Sequence, residues 1–226
     1  MADQTSPRTD PTYWTRKEPL YPLFLPAIDL LSRLLFDVEV SGGHNLPRRG
    51  PVLLAANHVS FLDPCVLAAV THRLGRRLRF VALANLFEVP GLGWLLRRGR
   101  MIPVARGRGA EQMTREVCAA LSAGQAVLVY PEGTIPRPGS EAPPKRGAGL
   151  VALSTSAPVV PVGTWGLERR RPRLPRLRRR AAVVFGAPLD LEGLGDSRDR
   201  VVQRAAAAAM LAAVRSLADE ARRAAS

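Results

Sequence analysis

Short apolar runs that keep alternating with helix-like segments constrain this chain more than any other feature. Val52–Ala56, Leu78–Leu83, 126–130, 159–162 and 181–185 are each too short for a buried helix and rich in strand-forming residues. A further run at 100–105 reads the same way. Helical patterning fills 63–74, 110–123 and 147–156, and a long closing helix is expected over 197–224. Such exchange predicts the α/β class: a single domain with a largely parallel central sheet flanked by helices. With 226 residues and 46% hydrophobic content, the chain can bury a substantial core.

The first part of the chain is different. Residues 1–19 are polar and contain proline, and a mobile tail is expected there. In the segment 20–41, a helix with Pro26 in its first turn leads into a half-buried strand, where Val38 and Val40 alternate with Asp37 and Glu39. Asp29, Ser32 and Arg33 form a narrow polar stripe on that helix, with Ile28, Leu31, Leu34 and Leu35 around it. The pattern fits either a helix lying in a membrane interface or one packed on its own domain, since both reward the same apolar face. The segment is too short and too interrupted for the roughly 20 apolar residues a bilayer core demands. No other stretch reads as an ordinary transmembrane helix, and no secretory signal is predicted. The main domain is expected over 42–226.

The formal charge of +14 comes almost wholly from arginine, Lys17 and Lys145 being the only lysines. Biased composition explains it as well as an anionic lipid or nucleic-acid partner does. The densest cluster, 169–180, is broken by prolines and reads as an extended surface loop or hairpin tip. No helix-turn-helix pattern accompanies it and Trp165 is the only aromatic residue nearby, so no nucleic-acid partner is expected. Cys65 and Cys118 show no metal spacing and sit in apolar helical sequence, which predicts small core residues, with no metal site.

Two loops carry the residues with chemistry. After the strand Val52–Ala56 comes Asn57-His58-Val59-Ser60-Phe61-Leu62-Asp63-Pro64. Asp63-Pro64 is a helix start, with Asp63 expected at the N-cap. The five-residue offset does not align His58 and Asp63 on one helical face. An intervening turn can fold the imidazole back to the carboxylate, leaving its other nitrogen as a general base. Alternatively, Asp63 only caps the helix and His58 satisfies a backbone group. Location at a strand's carboxyl end, where open α/β sheets bind ligands, favours the first arrangement. Ser60 lacks the nucleophile elbow G-x-S-x-G. The second loop, Tyr130-Pro131-Glu132-Gly133-Thr134, follows the apolar run that begins at Ala126.

The first loop resembles the N-H-x-x-x-x-D motif of the glycerolipid acyltransferase family, which includes lysophosphatidic acid acyltransferases. The second is similar to the family's P-E-G-T motif. Between them, 99–106 resembles a glycine, apolar strand and terminal arginine, and 158–162 resembles an apolar strand with prolines. These four stand in the family's order and near its spacing. The resemblance implies an acyltransferase domain over 42–226 that moves a fatty acyl group to 1-acyl-sn-glycerol 3-phosphate, giving phosphatidic acid. His58 would be the base and Asp63 its orienting carboxylate. The donor would be acyl-CoA or acyl carrier protein, as substrate, with no separate cofactor. The acceptor would be a lysophospholipid, and the location the cytoplasmic face of the cell membrane, with peripheral or monotopic contact to anionic lipid.

The same resemblance makes Arg106 a phosphate ligand, against the alternative of a solvated arginine. It makes Glu132, Gly133 and Thr134 the acceptor-binding loop, Glu132 serving either ligand contact or loop architecture. Lys145, before the next helix, is a second phosphate contact or an exposed lysine. Ala105 and Ile135 depart from the family's pattern, and Arg137 offers a replacement two residues after Ile135. These departures bear on the acceptor more than on the reaction, and acylation of another lipid or glycolipid hydroxyl is the second reading. Oligomeric state is left open by the sequence.

Overall fold

In the computed structural model, the described residues are 7–16, 21–105, 110–137, 140, 142–168 and 178–225. Helices α1 (Pro11–Thr15) and α2 (Tyr21–Leu35) precede strands β1 (Phe36–Ser41) and β2 (Val52–Ala56). Then α3 (Asp63–Arg73) leads to β3 (Leu78–Leu83) and α4 (Leu92–Arg98) to β4 (Ile102–Val104). Next, α5 (Ala110–Ser122) precedes β5 (Ala126–Val129), and α6 (Arg146–Leu153) precedes β6 (Val159–Trp165). The chain closes with β7 (Arg179–Phe185) and α7 (Arg200–Ala224).

The seven strands form one sheet in the order β1-β7-β6-β2-β5-β3-β4. Every pairing is parallel except β6 with β7. The largely parallel α/β architecture expected from the sequence is the one observed. The central position of β2 explains its unbroken apolar sequence, because both of its faces are covered. Val52, Leu54 and Ala56 pack with Val66, Leu67 and Val70 of α3. Leu53 and Ala55 point the other way, into a layer with Val117 and Ala120 of α5, Val151 of α6 and Met210 and Val214 of α7.

Helix α7 is long and apolar enough to cross a membrane by length and composition alone. Here it is a layer of the domain, burying Ala206, Ala207, Met210, Leu211 and Val214. At Gly163 of β6 it comes so close that a Cβ atom would lie 2.1 Å from the Leu217 carbonyl carbon. Asp199 starts the helix by accepting the Val201 N–H at 2.7 Å.

Several expectations are corrected. Far from forming a loose tail, part of the polar N-terminus docks on the domain: Trp14 is 2% exposed and packs into the α5–α7 layer. Its indole donates to the Arg8 carbonyl at 2.8 Å, and Arg100 donates to the Tyr13 carbonyl at 2.7 Å. Helix α2 begins at Tyr21, so Pro26 is interior to it. A proline there removes one rung, the bond to the Pro22 carbonyl, which the helix tolerates near its start. Cys65 is exposed and Cys118 intermediate, so neither is a core residue. Helix α4 lies in a stretch for which no element was expected. Of the basic cluster, 169–177 lie outside the described residues, whereas Arg179 and Arg180 belong to β7.

The α2 helix packs on α3 with Asp29 and Ser32 of its polar stripe inward and Arg33 exposed at the edge. Asp29 meets Arg33 at 2.8 Å and Arg73 of α3 at 3.3 Å, and Ser32 is buried. Leu25 also faces the body, which leaves Leu30 (59%), Leu31 (54%), Leu34 (59%) and Leu35 (42%) exposed. The helix therefore packs on its own domain and still presents leucines outward.

Candidate active site

The site is built where β2 leaves the sheet. Asn57, the first residue beyond β2, is buried and ties that strand end to β6. Its amide donates to the Thr164 carbonyl at 2.9 Å and accepts from the Thr164 N–H at 2.8 Å. The Thr164 hydroxyl also donates to the Asn57 Oδ1 at 3.2 Å. With that end fixed, the next six residues turn back on themselves.

Asp63 is the centre of the turn. It is fully buried, and its Oδ2 stands 3.0 Å from the His58 Nδ1. The same oxygen accepts the N–H groups of Val59 at 2.6 Å and Ser60 at 2.8 Å. Asp63 was expected at the N-cap of α3, with the turn folding His58 back to its carboxylate. It is the first helical residue and Leu62 takes the cap position, while the carboxylate faces back to the turn as expected. The physical reason is donor supply, since the tight turn exposes two backbone N–H groups and an imidazole that need an acceptor. With the Asp63 carboxylate as acceptor, His58 carries its proton on Nδ1, which leaves Nε2 as the unprotonated nitrogen. Nε2 has no hydrogen-bond partner among the described residues.

The second loop closes over the first. Glu132 Oε2 accepts the His58 backbone N–H at 3.0 Å, so this carboxylate braces the turn that carries the imidazole. Burial pushes the Glu132 carboxyl up from its usual range, against the opposing pull of the His58 N–H bond and of Arg215. Gly133 has φ +64°, and a Cβ there would lie 2.8 Å from the Lys145 Cγ. The Gly133 N–H donates to the Tyr130 carbonyl at 2.9 Å, and the Lys145 N–H donates to the Pro131 carbonyl at 2.6 Å. Thr134 and Lys145 are exposed.

The structure thus gathers His58, Asp63, Glu132, Gly133 and Lys145 at one end of the sheet, with Thr134 on the loop's outer side. Arg106 lies outside the described residues. Tyr130, to which the sequence reading gave no role, lies flat against the His58 ring, with centroids 3.9 Å apart and planes at 12°. Its position directly before Pro131, at the end of the strand paired to β2, was the available signal. Among the described residues no cluster of histidine, cysteine, aspartate and glutamate could hold a metal ion.

Residues 37–165 match the family model described as Acyltransferase, which covers more than half of the chain and both loops. The chain belongs to the acyltransferase family. It is 29% identical over 140 residues to a chloroplastic 1-acyl-sn-glycerol-3-phosphate acyltransferase of Brassica napus, covering 61% of this chain and 40% of that one. It is 26% identical over 147 residues to the 1-acyl-sn-glycerol-3-phosphate acyltransferase of Bacillus subtilis, covering 65% and 72%. To the lyso-ornithine lipid O-acyltransferase of Pseudomonas aeruginosa it is 35% identical over 106 residues, covering 46% and 38%. The match thus reaches less than half the length of the plant and Pseudomonas relatives. The fold is also that of the crystal structure of the 1-acyl-sn-glycerophosphate acyltransferase PlsC from Thermotoga maritima. That likeness has a TM-score of 0.60 at 24% identity, over 85% of this acyltransferase chain and 79% of the other.

Proposed function

We propose that this acyltransferase transfers a fatty acyl group from a thioester donor, acyl-CoA or acyl carrier protein, to the free hydroxyl of 1-acyl-sn-glycerol 3-phosphate, making phosphatidic acid for phospholipid synthesis. The observation that carries the reading is the His58–Asp63 contact of 3.0 Å at the carboxyl end of β2. His58 Nε2 accepts the hydroxyl proton while the acceptor oxygen bonds to the thioester carbonyl carbon. The resulting imidazolium is supported by the Asp63 carboxylate, as in the orienting half of a Ser-His-Asp triad. The tetrahedral intermediate then expels the thiolate by cleaving its C–S bond, and the imidazolium returns the proton to the sulfur. No acyl-enzyme forms, because the acceptor hydroxyl does the work of a serine.

Glu132 and Gly133 shape the loop beside this pair, and Lys145 supplies an exposed ammonium for the acceptor phosphate. Arg106 has suitable chemistry for the same anion, since a guanidinium binds phosphate through two donors at once. The names of the Brassica and Bacillus relatives support the phosphate-bearing acceptor. A second reading keeps the chemistry and changes the lipid: the Pseudomonas relative is named for lyso-ornithine lipid, and Ala105 and Ile135 depart from the phosphate-linked motifs.

A lipid acceptor calls for contact with its bilayer. The outward leucines of α2 and the exposed Phe61 (76%) and Leu62, three and four residues after His58, support a peripheral or monotopic enzyme. Arginine-rich composition adds attraction to an anionic leaflet, and the cytoplasmic face of the cell membrane is the proposed location.

The test is acyl transfer by purified protein with acyl-CoA and acyl carrier protein against a panel of lysolipids, wild type beside His58→Ala. Phosphatidic acid formation that disappears in a folded His58→Ala variant is expected. Equal turnover by that variant would remove His58 as the base. Turnover only on lyso-ornithine lipid or a glycolipid would replace the acceptor and keep the mechanism.

A further inference from the structure

A hydrogen bond through Nδ1 holds one edge of an imidazole and leaves its plane some room to tilt. In His58 one face of the ring is closed by Tyr130, nearly parallel at a centroid distance of 3.9 Å. The Tyr130 ring is itself held. It follows Val129, whose strand β5 pairs with β2 in the register Ala55↔Val129, so the two residues leave the sheet side by side. The Tyr130 carbonyl is fixed by the Gly133 N–H, and its side chain packs against the cluster of β2 and α3. Burial, helped by the Asp63 charge, pushes the phenol well above its ordinary range, so the ring remains a neutral phenol.

The stacking geometry carries a second point. Two neutral aromatic rings prefer an offset or edge-on arrangement to a parallel one with little offset. A cation over an aromatic face is attracted to it. The stack of His58 on Tyr130 is therefore kept, and strengthened, when His58 becomes imidazolium.

We infer that Tyr130 is a positioning residue for His58: its ring fixes the imidazole plane with Nδ1 on Asp63 and Nε2 toward the acceptor, and favours the charged form made during proton transfer. The inference rests on the reading of His58 as the base. The effect of Tyr130 passes through the imidazole on whose face its ring lies. Its hydroxyl is buried without a hydrogen-bond partner among the described residues, so the ring and not the O–H carries the role.

The full chain is compared as wild type, Tyr130→Phe, Tyr130→Leu and Tyr130→Met, the last filling the volume without a flat face. Tyr130→Phe should keep kcat within about threefold, whereas the Leu and Met variants should lose about tenfold or more in kcat with KM little changed, on the scale of a desolvated cation–π contact. Nitrogen-15 spectra of the ring give an activity-independent readout. The protein has three histidines, and His58→Ala identifies the His58 signals. A single Nδ1-protonated tautomer is expected in wild type and Tyr130→Phe, with mixed tautomers in the Leu and Met variants. Wild-type kcat and an unmixed tautomer in a folded non-aromatic variant would overturn the inference, as would a Phe variant as slow as the Leu variant. If His58→Ala itself turns over normally, the base assignment fails separately; if it is inactive while Tyr130→Met is normal, only Tyr130 loses its role.

Discussion

Asp63 Oδ2 binds His58 Nδ1 at 3.0 Å with the same oxygen that accepts the Val59 and Ser60 N–H groups. One buried carboxylate oxygen therefore sets both the backbone of the turn and the orientation of the imidazole. Structure and proposed chemistry cannot be separated by deleting this side chain, but they can be separated by grading the substitution.

Asp63→Ala strands two backbone donors in a buried turn, a cost of about 1–3 kcal/mol, so it should lower both stability and activity. Asp63→Asn retains an acceptor oxygen for the turn and loses the charge beside the imidazolium. It should melt close to wild type while losing activity, though less than His58→Ala, for which a loss of about 10²- to 10⁴-fold in kcat is expected. Thermal melts run alongside steady-state rates check this. An Asn variant with wild-type rate would leave Asp63 a purely architectural residue.

Glu132 offers a pH prediction. Its carboxyl is raised by burial above its ordinary value. Between the unfolded and folded pKa values the native state binds more protons than the unfolded chain, so its contribution to stability falls as pH rises through that window. The buried charge is then a penalty at neutral pH that is relieved in acid. Glu132→Gln keeps an oxygen for the His58 N–H and removes the charge. Its melting temperature should exceed that of wild type at pH 8, with the gap shrinking as pH falls toward 4. A variant less stable than wild type at pH 8, by a margin that closes toward pH 4, would show that the charge is held favourably.

Much of this was legible from residues alone. Unbroken apolar strands such as Val52–Ala56 announce burial on both faces, and such burial fits helices covering a parallel sheet. His58 and Asp63 were legible because a turn at a strand's carboxyl end leaves few partners for an imidazole. What escaped were features set by partners distant in sequence. Glu132 meets His58 across 74 positions, and Trp14 is buried by residues from across the chain. The direction of α2 was hidden for another reason. Asp29 of its polar stripe faces inward, where Arg73 on a different helix supplies a partner beside Arg33 of α2 itself.

That orientation of α2 predicts how the protein meets lipid. Leu30, Leu31, Leu34 and Leu35 are exposed, so replacing Leu31 and Leu34 with glutamine removes no core contact. Melting should be unchanged. Binding to anionic vesicles should weaken, since each buried apolar side chain contributes on the order of 1.5–3 kcal/mol. Co-sedimentation across salt concentrations checks it. If the double variant binds as well as wild type at high salt, the leucine face is not what holds the membrane.

Asn57 is the residue through which the site depends on the sheet. Its amide takes the Thr164 N–H and gives its own N–H to the Thr164 carbonyl, joining the ends of two adjacent parallel strands in a buried place. Strands β2 and β6 would otherwise separate just here, because the ladder ends in the register Ala56↔Val162. Asn57→Ala leaves the Thr164 backbone groups without those partners and should cost about 1–3 kcal/mol. That corresponds to a fall of roughly 2–4 °C in melting temperature per kcal/mol for a chain of this size. Asn57→Asp keeps an acceptor for the Thr164 N–H but faces the Thr164 carbonyl with an oxygen, so it should be no more stable than the alanine variant. In both, His58 loses the fixed strand end from which its turn starts, and kcat should fall with little change in KM. Urea denaturation and steady-state kinetics on the two variants check the pair of effects. Wild-type stability in Asn57→Ala would mean that the strand ends hold without the amide bridge.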